Sequence, residues 1–279
     1  MEYQYGKRSL IMKKFLIILG IFLLIIGITG MFLTKDEIVT KKQNSYSEQI
    51  TLNQPFNSID LDIGQGTVAV EQSKNHRASL KIKNISKKED YQYKIDNNTL
   101  YFSTKNDSKN RKKNFVFGNH KNLDEIEIKL LIPKEKLKSF KAKTFAGTID
   151  VDYLSTKNLE LNADIGLIEG DILKSDQSNI KVGMGDISFN NFNSQQADIN
   201  IKTGTIELYG LNSDININGH IGMGDGTFEY TTEPQSTHFD VSTKNGDIEL
   251  NDLINLPQSN AKSLVKMTIG TGTVEFDYE

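Results

Sequence analysis

The chain has 279 residues, 37% of them apolar and 25% charged, with four histidines and no cysteine; this suits one large or two small folded domains and excludes disulfide frameworks, thiolate zinc sites, CxxC redox centres and cysteine nucleophiles. The net charge of −3 conceals an asymmetry, since residues 1–146 hold 26 Lys+Arg against 15 Asp+Glu, net +11, and residues 147–279 hold 7 against 21, net −14. A long acidic half argues against nucleic-acid binding, which needs continuous cationic surface, and directs any anionic partner to the first half.

Phe15 to Thr34, FLIILGIFLLIIGITGMFLT, runs for 20 residues without a charge. At about 1.5 Å rise per residue this makes about 30 Å of helix, enough to span the hydrocarbon of a bilayer. Lys7, Arg8, Lys13 and Lys14 precede it, and the mixed run Lys35, Asp36, Glu37 follows. The positive-inside bias therefore places residues 1–14 in the cytoplasm and everything beyond Thr34 outside, as a single-pass membrane protein. A cleaved signal peptide is the competing reading, but the apolar run exceeds the usual signal-peptide core and no A-x-A-like site stands near its end. MKKFLIILG, from Met12, has the form of a natural start, which makes residues 1–11 a candidate start-site artefact. Residues 35–55 are polar with few apolar anchors and read as a stalk.

Residues 56–146 read as an irregular first part of a β domain, with alternating strands at Ile59–Ile63, Ala78–Ile85, Tyr91–Ile95, Thr99–Ser103 and Ile126–Ile132, and a GTVAV corner at Gly66. Within it, 105–122 (KNDSKNRKKNFVFGNHKN) is basic and poor in apolar residues, the composition of an extruded loop. Its Lys105, Lys109, Arg111, Lys112, Lys113 and Lys121 are candidates for contact with anionic lipid headgroups or wall polymers.

Residues 147–279 repeat a pattern, G-x-[IVF]-x-apolar: GTIDV at Gly147, GLIEG at Gly166, GDISF at Gly185, GTIEL at Gly204, GTFEY at Gly226, GDIEL at Gly246 and GTVEF at Gly272. The first three intervals are 19 residues each. Aliphatic sets keep the same step: Leu161, Ile180 and Ile199; Ile168, Ile187 and Ile206; and Leu154, Leu173, Phe192 and Leu211. Period-2 alternation on both sides of each glycine means strand, tight corner, strand, and stacking such units at about 4.7–4.9 Å turns each set into a continuous interior ladder. The expected fold is an all-β solenoid, a parallel β-helix built as a single sheet stack behind one transmembrane helix. An antiparallel sandwich of short strands is the alternative, and three coincident ladders favour the solenoid.

These strand-Gly-strand rungs with GTI, GDI and GTV corners, together with LLIPKEKLKSFKAKTFAGTIDV from Leu130 to Val151, resemble the bacterial putative-adhesin family of β-strand repeat proteins, which includes membrane-anchored LiaG-like members. The resemblance covers roughly Ile50 to Glu279. It implies an extracytoplasmic Gram-positive envelope protein, adhesin-like, with some members linked to envelope stress. It brings no catalytic residues.

No G-x-S-x-G elbow, P-loop or H-E-x-x-H helix occurs, and His76, His120, His220 and His238 sit in unrelated contexts. GMGDI at Gly183 and IGMGDG at Ile221 have the Gly/Asp chemistry of calcium-binding turns, but the 19-residue step does not fit a nonapeptide roll, and Asp is also an ordinary turn residue. No cofactor is expected. Three residues after each repeat glycine stand Asp150, Glu169, Ser188, Glu207, Glu229, Glu249 and Glu275. They alternate with interior aliphatics, face outward and should stack as an acidic ladder that suits a cationic peptide or the basic surface of another envelope protein; a solubilising face is the plainer account. A polysaccharide-active β-helix enzyme would need convergent carboxylates in a groove, for which Asp150 with Asp152 is the one close pair near the first rungs. The expected function is therefore a non-enzymatic binding or sensing module of the cell envelope, with the enzyme and a purely structural spacer as alternatives.

Overall fold

A computed structural model describes residues 46–85, 91–104, 126–255 and 261–279, all within one compact unit, Ser45–Glu279. The Phe15–Thr34 segment and the basic stretch 105–122, with its six candidate cationic residues, lie outside the described residues. Among the described residues no helix is long and apolar enough to cross a membrane.

Among the described residues fourteen strands form one sheet: β1 (Tyr46–Thr51), β2 (Ser58–Gln72), β3 (Ser79–Ile85), β4 (Tyr91–Asp96), β5 (Thr99–Thr104), β6 (Glu127–Ile132), β7 (Leu137–Thr203), β8 (Ile206–Leu211), β9 (Asn216–Met223), β10 (Gly226–Tyr230), β11 (Thr237–Asn245), β12 (Ile248–Glu249), β13 (Ser263–Thr271) and β14 (Val274–Tyr278). A 3-10 turn, Asn251–Asn255, buries Leu253 near the outer end. The rungs stack in parallel: Ser58 to Val70 of β2 run beside Ser139 to Val151 of β7, and β7 passes the pattern on to β8 and β9. Stacking thus begins with β2, inside the part expected to be irregular. Tyr46–Thr51, placed in the stalk by its polar composition, is instead an antiparallel edge strand on β3 that buries Ile50.

The three aliphatic ladders are interior throughout, with Leu161, Ile168, Ile187, Ile206, Leu173 and Phe192 fully buried. Each such side chain contributes about 1.5–3 kcal/mol of transfer free energy, so the columns are the main cohesive element. A second kind of column runs beside them. Thr156, Ser175 and Ser194 are buried one rung apart; Ser175 donates to Ser194 at 3.0 Å, and Ser194 donates to the Gln196 carbonyl at 2.8 Å.

At the corner, eight glycines form one column with φ between +133° and +148°. In spatial order they are Gly66, Gly147, Gly166, Gly185, Gly204, Gly224, Gly272 and Gly246, each with its missing Cβ aimed at the carbonyl of a neighbour. Two departures from the repeat follow. Gly224, and not Gly226, occupies the corner, while Gly226 takes an interior place beside Ile206 and Val274. The last coil of the chain is also inserted: β13 lies between β9 and β11, and β14 between β10 and β12. The alternation explains the insertion. Val265, Met267, Ile269, Val274 and Phe276 are fully buried, a set that needs a neighbour on both sides, whereas β12 leaves Ile248 37% exposed at the sheet edge.

Candidate functional site

Every rung has two long sides. Side one carries the stretch before the corner glycine and side two the stretch after it, and outward residues on each alternate with the buried columns. On side two the third residue after the corner forms the row Ala69, Asp150, Glu169, Ser188, Glu207, Thr227, Glu275, Glu249 in spatial order. The stack therefore aligns Asp150, Glu169, Glu207, Glu275 and Glu249. Glu229 is displaced from this row because its strand is counted from Gly224, and Thr227 takes its place beside Glu207 and Glu275. The motif misaligned this rung because GMGDGTF offers three glycines, of which the G-x-F match selects the last.

Two residues further on lies a second outward row: Glu71, Asp152, Asp171, Asn190, Tyr209, Glu229 and Asp277. Glu229 pairs in register with Asp277, and Asn190 donates to Asp171 at 3.3 Å. Glu229 thus belongs to the same face by a different row. The same step of 19 links Asp152 and Asp171. From Asp150 to Asp277 neither row contains a lysine or arginine. Lys129 borders the face at its β6 end and is ion-paired with Glu71. Side one differs in kind: its outward positions mix Lys141, Lys143, Lys181 and Lys266 with Asp60, Glu160, Asp198 and Asp240.

Burial, with like charge beside it, leaves its mark on protonation. The Asp150 carboxyl is pushed above the usual range by burial, then by Asp152 and Glu71, with Lys129 opposing. Glu169 is raised by burial and then by Asp150. The Tyr209 phenol is raised by burial and then by Glu207, Glu229 and Glu275; Glu207 lies two residues before it on the same strand, Glu229 on the next strand and Glu275 on the one beyond. Asp150, half-buried, and Asp152, exposed, sit two residues apart along β7.

The Gly/Asp turns use their carboxylates inside the stack. Asp186 accepts from the Thr205 amide at 2.8 Å and its hydroxyl at 2.6 Å, and Asp225 accepts from the Thr273 amide at 2.7 Å. Each bond ties one rung to the next. Among the described residues no group of three or more His, Cys, Asp or Glu is placed to hold a metal ion.

The stacked strand-Gly-strand rungs carry the expected family resemblance. The Toastrack DUF4097 family model matches residues 56–279. The chain belongs to the Toastrack DUF4097 family. Among solved structures, a putative adhesin from Bacteroides fragilis NCTC 9343 superposes with a TM-score of 0.52 at 18% identity, over 85% of this chain and 98% of that one. A putative adhesin from Parabacteroides merdae ATCC 43184 gives 0.46 at 17% identity, over 84% and 97%. A putative lipid binding protein from Parabacteroides distasonis ATCC 8503 gives 0.43 at 14%, over 85% and 98%. The first of these shares its fold with this Toastrack protein. No curated protein sequence matches it.

Proposed function

We propose that this Toastrack protein is a non-enzymatic, membrane-anchored binding module of the bacterial cell envelope, whose acidic face docks a cationic peptide or basic protein surface. The observation that carries this reading is the alignment of Glu207, Glu275 and Glu249 in one outward row and of Tyr209, Glu229 and Asp277 in the next, with no basic side chain among them. Adjacent like charges in a sheet are destabilising, and solubility alone would be served by the mixed charge of side one. A cation over an aromatic ring flanked by carboxylates gains from both. The charge-free run Phe15–Thr34 supports the anchor, and the basic stretch 105–122 would hold the base of the domain at an anionic membrane or wall surface. In that arrangement the acidic face is free to collect cationic peptides, which suits a role in envelope stress. The adhesin-like description of the Bacteroides fragilis neighbour is in keeping with binding.

Calorimetric titration of a lysine-rich peptide into the full chain tests the docking. Replacing Glu207, Glu229 and Glu275 together by Gln should weaken binding and flatten its salt dependence, while equal binding at low ionic strength would remove this face from the function. Protease added to intact protoplasts should digest the β domain, and a soluble domain released by cleavage near Phe32 would contradict the anchor.

A further inference from the structure

Side one carries a pocket of about 580 Å³ where the β4–β5 hairpin meets the first two rungs, within the roughly 300–1,000 Å³ typical of small-ligand sites. The hairpin turns on Asn97 and Asn98, both at positive φ (49° and 59°), the geometry a two-residue turn requires. It is joined to the shaft because β5 runs parallel beside β2. Four strands therefore lie side by side and align two outward rows across the pocket floor. One row is Lys94, Tyr101, Asp60 and Lys141; the other is Gln92, Ser103, Asp62 and Lys143.

The chemistry of this floor is specific. Tyr101 is 37% exposed, so its ring offers apolar surface edged by polar groups. The amines are largely matched already: Lys94 stands 5.2 Å from the Tyr101 ring centre and 3.3 Å from Asp96, and Lys141 pairs with Glu160 at 3.2 Å. Lys143 stands opposite Asp62 and Lys141 opposite Asp60, so the floor sets carboxylate acceptors beside amines, two of which already have other partners. Asp60 is partly dehydrated, and burial raises its carboxyl above the usual range; such an acceptor recovers hydrogen bonds from hydroxyl donors. Gln92 donates to Ser103 at 3.0 Å, which holds an amide and a hydroxyl at the second row. Many hydroxyl donors on one edge and a C–H face for an exposed ring are together the properties of a sugar.

We propose that this pocket binds a short neutral saccharide, packed against the exposed part of Tyr101 that Lys94 leaves uncovered, with its hydroxyls on Asp60. The site lies on the side of the rungs opposite the acidic rows and does not depend on the cationic-partner reading.

The full chain, purified in a non-glycosidic detergent, is titrated with maltotriose, mannotriose and the N-acetylglucosamine trimer by saturation-transfer NMR and calorimetry, with a poly(glycerol phosphate) oligomer as the anionic probe. At least one trisaccharide should bind with little salt dependence. Tyr101→Ala and Asp60→Asn should each weaken it about tenfold or more, and Tyr101→Phe, which keeps the ring, should stay within about twofold. Melting temperatures identify any variant that fails to fold, and Tyr101→Phe with Asp60→Asn decides the matter if Tyr101→Ala does. Binding of no trisaccharide, undiminished binding by Asp60→Asn, or binding of the anionic probe alone with steep salt dependence overturns the proposal.

Discussion

The carbonyl oxygen of Gly147 lies 1.8 Å from the point a Cβ on Gly166 would occupy, and Gly166 holds φ +139°. No side chain fits at that corner without separating the rungs. Gly166→Ala should therefore cost more than about 3 kcal/mol, whereas Leu167→Ala, the next residue and half-buried, should cost about 1 kcal/mol or less. Urea melts of the two variants give the comparison, and similar midpoints would contradict the stacked corner.

The inserted last coil places Glu275 directly beside Thr227, with Glu249 on the far side of Glu275. Since the chain has no cysteine, introduced pairs report on this order cleanly. Thr227→Cys with Glu275→Cys should oxidise to a disulfide, while Thr227→Cys with Glu249→Cys, two rungs apart and beyond the roughly 7 Å Cα limit, should not. The opposite result would mean that the coils stack in chain order.

Asp150 and Glu169 have carboxyl pKa values raised in the folded chain. Above that range both are charged in both states, and the fold carries their burial and mutual repulsion. As pH falls into the window between the raised values and the ordinary 3.8 and 4.5, the folded chain takes up protons that the unfolded chain does not, so these groups add stability with acidification. Asp150→Asn with Glu169→Gln should thus raise Tm at pH 7 by about 1–4 °C, and the advantage should shrink as the pH falls through the raised values and be lost below the ordinary carboxylate range. A lower Tm at pH 7 would contradict the crowding.

Tyr230 is fully buried, and its hydroxyl finds no hydrogen-bond partner among the described residues. Its ring meets Phe239 edge-on at 6.3 Å, a contact that phenylalanine would keep. Tyr230→Phe should therefore stabilise the domain by about 1 kcal/mol, read as a higher urea midpoint. A loss of similar size would mean that the hydroxyl is satisfied.

Strands, ladders and outward acids were legible because an interior column needs an aliphatic residue every rung, and a step of 19 states that need directly in Ile168, Ile187 and Ile206. The insertion of β13–β14 was not, since a repeat unit names its neighbours' chemistry and not their order in space. Composition also hid β1: Tyr46–Thr51 is polar on its outer side, and its packing rests on Tyr46, Ile50 and the following Leu52. The Asp60–Tyr101 pocket depends on a hairpin from outside the repeat lying parallel to β2, a long-range pairing that no local pattern encodes.

The most direct test of the acidic face as a docking surface is charge reversal at its centre. In Glu207→Lys with Glu275→Lys, both outward on either side of Thr227, the hydrophobic columns are untouched. Titrated at low ionic strength, this variant should lose the lysine-rich peptide and gain a glutamate-rich peptide of the same length, with the wild type showing the reverse preference. Retention of the lysine-rich peptide by a folded variant would contradict the account.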